Sequence, residues 1–142
     1  MAKKDMARTI ALKTLRQSVT LKATPKQVYD LFMVSKLHTA FTGDVAKISP
    51  KVGGKFSVFD GYSEGKNLKL VPGQLIVQTW RASDWPEGHT SEVSFSLAPV
   101  KGGCKLSFVQ TGIPAKQLPH MRSGWKEFYW DSLKGYLKSV SA

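Results

Sequence analysis

Residues 80–93 read WRASDWPEGHTSEV and set His89 among Asp84, Glu87 and Glu92, after two tryptophans, Trp80 and Trp85. A histidine beside a carboxylate is the pairing used for general acid–base catalysis, provided the ring reaches a substrate proton. The same groups could ligate a metal, but a zinc site takes at least three protein ligands. His89 with Glu87 or Glu92 offers a pair. His38 and His120 stand elsewhere at no metal-binding spacing, and neither HExxH nor paired cysteines occurs. Cys104 with a histidine would be a nucleophile only in a polar, partly open site that stabilises its thiolate. It follows the turn Gly102-Gly103, and small buried packing is the simpler role for it. For His89 the simpler reading is that Pro86-Glu87-Gly88 turns the chain and the ring starts the next strand, held by a hydrogen bond. DGYSEGK (60–66) has no Walker lysine and no GxGxxG, so it reads as a plain hairpin turn rather than a phosphate cradle. The expectation is therefore no catalytic residue, no metal and no cofactor, and a protein that is not an enzyme.

These residues must be held by an alternating scaffold. SVTLKA (18–23) alternates as a first strand with Val19 and Leu21 on one face. Thr24 is a candidate helix N-cap with Pro25 at the first helical position, and Val28, Leu31 and Phe32 follow at helical spacing. Ser35 is read as the cap of a second short helix, KLHTAFTG, ended by Gly43. From Val45 to Thr111 the period changes to two. VAKIS, KFSVFD, NLKLV, QLIVQTW, SEVSFSL and KLSFVQT are separated by Pro- and Gly-rich turns, including one over Gly61–Gly65. Such short connections predict an antiparallel meander. In SEVSFSL, Val93, Phe95 and Leu97 share one face, which must be covered.

The cover is 123–140, SGWKEFYWDSLKGYLKSV. At 100° per residue, Met121, Trp125, Phe128, Tyr129, Trp130, Leu133, Tyr136, Leu137 and Val140 span an arc of about 200°, with Lys126 inside it and forced to snorkel. That arc is wider than a helix needs on a flat surface, and it predicts a helix gripped by a curved sheet. The fold class expected is α+β: about six or seven antiparallel strands wrapped round a long C-terminal helix, with two short helices after the first strand. Residues 1–16 read as a basic, partly flexible segment and 17–142 as a single domain.

The chain has 142 residues, one cysteine and a formal net charge of +11. No apolar run reaches the roughly 20 residues of a membrane span, and the basic N-terminus lacks an apolar core of signal-peptide length. No membrane insertion and a cytoplasmic location are expected. The charge predicts attraction to an acidic partner. Its lysines are dispersed, with no Arg-rich cluster, zinc-finger spacing or aromatic RNP strand, so nucleic acid is not the expected partner.

The pieces GGKFSVFDG (53–61), LVPGQLIVQTWR (70–81), DWPEGHTSEVSFSL (84–97), GCKLSFVQTGIP (103–114) and GWKEFYWDSL (124–133) together resemble the C-terminal domain of the activator of the heat-shock protein 90 ATPase. The resemblance runs from about Val19 to the C-terminus and implies the helix-grip, START-related fold in a stand-alone form. It implies a co-chaperone-like adaptor that binds heat-shock protein 90 or another acidic protein. The wider superfamily holds apolar ligands between sheet and helix, so the alternative is a carrier or sensor of a small apolar ligand. Trp80, Trp85 and Trp125 are either ordinary core residues or the rim of such a cavity. Its expected walls are Phe56, Val58, Trp80, Trp85, His89, Phe95, Phe108, Trp125 and Tyr129.

Overall fold

The structure is a computed structural model describing residues 11–141. Strands β1 (Leu12–Leu21), β2 (Lys47–Ile48), β3 (Lys55–Val58), β4 (Ser63–Val71), β5 (Leu75–Ala82), β6 (Ser91–Val100) and β7 (Gly103–Pro114) form one antiparallel sheet in the order β1-β7-β6-β5-β4-β3-β2. The meander from β2 to β7 follows the short turns, as expected. Only β1 pairs with a strand distant in sequence, Val19 opposite Leu106 and Leu21 opposite Cys104. Two short helices, α1 (Pro25–Met33) and α2 (Ser35–Thr42), and a long C-terminal helix cover one face. This is the helix-grip arrangement.

Local chemistry explains most boundaries. Thr24 caps α1 through a full capping box: its hydroxyl accepts from Gln27 N, and the Gln27 side chain accepts from Thr24 N. Gly43 ends α2 in the left-handed region at φ 78°. Ser35 is not the cap of α2; Val34 holds that position without a side-chain bond. The Ser35 hydroxyl instead accepts from Ile48 N at 2.8 Å and so ties α2 to β2. The first strand starts at Leu12, inside the segment read as a basic tail, because 12–17 continue the ladder against Pro114 to Phe108 across an irregularity between Lys13 and Leu15. The remainder of that tail, residues 1–10, lies outside the described residues.

The turn expected over Gly61–Gly65 is shorter than that. Gly65 lies within β4, paired with Phe56. A Cβ there would fall on the Thr79 carbonyl and the Phe56 ring, so the glycine marks a close strand approach and not a turn. An irregularity between Asn67 and Lys69 then shifts the β4 register.

The C-terminal helix departs from uniform α geometry. After a single 3₁₀ turn (Ala115–Gln117) come α3 (Leu118–Gly124), a π-helical stretch (Trp125–Trp130) and α4 (Asp131–Ser141). The π stretch widens the turn to an i→i+5 repeat. Trp130 therefore returns over Trp125, the two rings stacked at 5.8 Å and 22°. Residues 125, 129 and 130 are all buried as a result, while Phe128 is turned outward and 51% exposed. Lys126 needs no snorkelling: it is exposed and pairs with Asp131 at 2.9 Å.

Two glutamines, Gln110 buried and Gln17 half-buried, anchor these tryptophans. Gln110 accepts from Trp125 Nε1 at 2.8 Å and donates to the Ser91 hydroxyl at 3.0 Å. Gln17 accepts from Trp130 Nε1 at 2.7 Å and donates to the Arg122 carbonyl. Both indole donors are satisfied inside the core, as buried polar groups must be.

Among the described residues no helix covers the opposite sheet face. Cross-strand rows there run Arg16–Val109–Ser94–Val77–Lys69 and Ser18–Ser107–Ser96–Leu75–Val71. Lys105, Lys55 beside Lys66, Lys47 and Arg81 flank this small-residue band, with Glu64 and Glu92 as its acids. No helix among the described residues is long and apolar enough to cross a membrane.

Candidate functional site

The residues of the opening stretch form a scaffold corner. His89 Nε2 lies 2.8 Å from the Gly112 carbonyl oxygen and must donate to it, since a carbonyl only accepts. That bond occupies the ring with backbone rather than with a carboxylate. The Arg81 guanidinium clamps the same corner by donating to the carbonyls of Trp85, Pro86 and His89. His89 stands two residues before β6 instead of opening it. Cys104 is fully buried, and burial pushes its thiol pKa up, away from the reactive thiolate. No group of three or more His, Cys, Asp or Glu side chains able to hold a metal occurs among the described residues.

Most of the interior beneath the C-terminal helix is filled. Phe95 packs on Phe32 at 4.6 Å and on Phe108 at 5.3 Å, and Phe108 lies 4.4 Å from Trp125. Phe56, Val58 and Phe95 border only a residual hollow of about 10 Å³, room for about one water. Phe108 is core. Trp85 sets its edge on Trp80 at 5.4 Å, and its ring lies 5.8 Å from that of His89.

A larger cavity of about 480 Å³ lies at one end of the sheet, between the C-terminal helix and the β3–β4 and β5–β6 turns. Of the nine expected wall residues, Trp80, Trp125 and Tyr129 line it. The others are displaced into the packed interior or behind Trp80. Its remaining aromatic walls are Phe59, Tyr62 and Phe128; Met121 and Gly124 complete the apolar side, Ser63 adds a hydroxyl, and Asp44, Asp84 and His120 provide charge-bearing groups. None of these, apart from the three shared residues, was among the expected walls. Met121 and Phe128 belong to the apolar arc of the last helix, and the other signal in the sequence is the three-residue run Phe59-Asp60-Gly61. Phe59 and Asp60 have φ of 52° and 54°, unusual for residues with side chains and most of all for a bulky one. This strained turn throws the Phe59 ring back toward Tyr129, at 5.3 Å and 88°.

The cavity rim is hydrogen-bonded. The Tyr62 hydroxyl donates to Asp84 Oδ1 at 3.1 Å and has His120 Nε2 at 3.5 Å. Burial, and the negative charge and hydrogen bond of Asp84, push the Tyr62 pKa up to about 12. Behind the cavity, His38 meets the Tyr129 hydroxyl at 3.0 Å. Two wall residues carry buried polar atoms with no hydrogen-bond partner, Ser63 Oγ and Trp80 Nε1.

The family described as "Activator of Hsp90 ATPase homolog 1-like protein" matches residues 22–138. The chain belongs to this family. Among curated members, the activator of 90 kDa heat shock protein ATPase homolog 1 of Homo sapiens is 34% identical over 135 residues, 92% of this chain and 40% of that protein. The Dictyostelium discoideum activator homolog is 36% identical over 124 residues, 86% of this chain and 32% of that protein. The chain thus spans well under half the length of these activators. An HSP90 activator from Plasmodium falciparum superposes with a TM-score of 0.82 at 26% identity, covering 88% of this chain and 96% of that one. The helix-grip fold inferred from the pattern is therefore also the fold of this activator family.

Proposed function

We propose that this domain is a non-catalytic, co-chaperone-like adaptor that binds an Hsp90-type ATPase or another acidic protein through its basic outer sheet face. The observation that supports it most is the uncovered face itself. Its cross-strand rows place Arg16, Lys47, Lys55, Lys66, Lys69 and Lys105 around a band of serines and valines, with Glu64 and Glu92 as the opposing charges. Such a face attracts an acidic partner over a Debye length and offers small side chains to pack once contact is made. In the activators this chain is similar to, the matched region is one part of a longer protein, so ATPase stimulation by the domain alone is a further step and forms no part of the proposal.

Calorimetric titration of a purified Hsp90-type chaperone with the domain at about 50 mM salt is the test. We expect binding that weakens steeply toward physiological salt. The triple variant K55E/K66E/K69E should lose about tenfold or more in affinity without losing its fold. Absence of binding at about 100 µM in low salt, or an affinity unchanged by the triple variant, would remove the reading.

The cavity supports a second reading, a carrier or sensor of a small apolar ligand. A volume of about 480 Å³ walled by aromatic rings lies within the range of small-molecule sites. Displacement of the Trp80 and Trp125 indole N–H resonances by a small aromatic probe is its measure; resonances that stay put under saturating probe would exclude it.

A further inference from the structure

The cavity has a charge opposite to that of the chain. Lys and Arg number 21 against 10 Asp and Glu in the sequence. Yet the cavity is lined by Asp44 and Asp84, and by neither lysine nor arginine. Among the described residues, His120 is the only one lining it that is able to carry positive charge.

The walls suit the same sign. Aromatic faces present the negative side of a ring quadrupole to whatever they enclose, and a cation within about 6 Å of such a face is attracted to it. Trp80, Phe59 and the half-exposed Phe128 line it with rings that are not stacked on a neighbour, Phe59 and Phe128 edge-on at 6.0 Å, whereas Trp125 and Tyr129 are stacked on each other at 4.7 Å and cover those faces. Asp84 is held in place by the hydrogen bond from Tyr62, so its carboxylate is fixed at the rim rather than left to swing in solvent.

A second observation points to a bound molecule. Ser63 is fully buried and Trp80 is 5% exposed, and each carries a polar atom with no partner. Buried hydroxyls and indole N–H groups are otherwise almost always paired. Both residues line this cavity. Trp85 Nε1 and His38 Nδ1 are also unpartnered but do not line it; of the two atoms at the cavity, the Ser63 hydroxyl is the one that accepts from a protonated amine settling against this wall.

We propose that the cavity binds a small organic cation, a quaternary or protonated amine on an aromatic or alkyl body, with Asp44 and Asp84 opposing its charge and the aromatic walls enclosing its apolar part. This rests on the ligand-carrier reading and adds the sign of the ligand's charge to it. The chain's general positive field repels such a molecule at long range. The two carboxylates act at close range, where salt screens them least.

The experiment compares benzyltrimethylammonium, its uncharged carbon isostere neopentylbenzene, and phenylacetate. Each is titrated into the intact chain while the four indole N–H resonances are followed by NMR. We expect the ammonium to move Trp80 and Trp125 and to bind about tenfold more tightly than the isostere, with phenylacetate weaker still. Trp85 and Trp130, which do not line the cavity, should move less. The double variant D44N/D84N keeps both side chains as hydrogen-bond acceptors. It should bring the ammonium down to the affinity of the isostere and leave the isostere unchanged. Equal binding of ammonium and isostere, or preference for phenylacetate, would overturn the charge assignment while the cavity remains a ligand site. No shift of Trp80 or Trp125 with any of the three would overturn both readings together.

Discussion

Replacing Trp125 with alanine is expected to lower the unfolding free energy by about 4 kcal/mol, the cost of removing a large buried aromatic. Trp125 is 3% exposed and sits where sheet, helix and cavity meet. Its ring lies 4.4 Å from Phe108, 4.7 Å from Tyr129 and 5.4 Å from Trp80, and its Nε1 donates to Gln110. Alanine forfeits all of these contacts. It also strands the Gln110 carbonyl in a fully buried position, adding the penalty of an unmade hydrogen bond. Trp125→Phe shifts the balance between the two terms: it keeps most of the ring packing, loses the bond and leaves a small void, and should cost about 2 kcal/mol. Urea unfolding followed by circular dichroism measures both. A loss below about 1.5 kcal/mol for Trp125→Ala would mean that the helix is not gripped through this residue.

Acidification from pH 6.5 to 4 is expected to remove about 3 kcal/mol of stability through His38 alone. His38 is 2% exposed, ringed by Phe32, Phe41, Phe59 and Tyr129, and has no carboxylate partner. Burial lowers its pKa from 6.5 to about 4. Below pH 6.5 the unfolded chain takes up a proton that the folded chain refuses until about pH 4. The unfolded state binds more protons across that window, so stability is highest well above 6.5, falls as the pH drops through the window, and levels off below 4. Tyr129, the hydrogen-bond partner, is pushed upward by burial and stays neutral throughout. His38→Phe cannot titrate. Its stability should be lower near neutrality, because the bond to Tyr129 is gone, but should fall less steeply on acidification. The difference between the two proteins cancels the titration of the surface carboxylates. Parallel pH profiles over this window would show that His38 is not held neutral by its surroundings.

The parts of the fold with a regular period could be read directly. SEVSFSL alternates because Val93, Phe95 and Leu97 face the helix and Glu92, Ser94 and Ser96 face solvent, and the ladder keeps that register. Thr24-Pro25 starts a helix, and Gly43 stops one, through chemistry confined to a few neighbouring residues. Ser35 and Gly65 misled for the opposite reason. A serine before a helical run and a glycine between strands have local roles by default. Here each answers to a distant residue: Ile48 across the α2–β2 gap for one, the Thr79 carbonyl on the next strand for the other.

The candidate site divides in the same way. That aromatic side chains from strands and helix would converge followed from composition and period, and Trp80, Trp125 and Tyr129 do meet around one cavity. Where the space would lie did not follow. A uniform α-helix turns Phe128 inward and puts Lys126 on the apolar arc; the π stretch turns Phe128 outward and stacks Trp130 on Trp125. That single change in pitch fills the middle of the grip. The sequence by itself determined the alternating strands, the capped short helices, the amphipathic final helix and the family to which they belong, because each depends on a period or a contiguous motif. Only the tertiary structure decided that the opening lies at the end of the sheet and that Asp44 and Asp84 border it. Side chains 40 residues apart on two different turns share no period, and only the folded chain brings them to the same cavity.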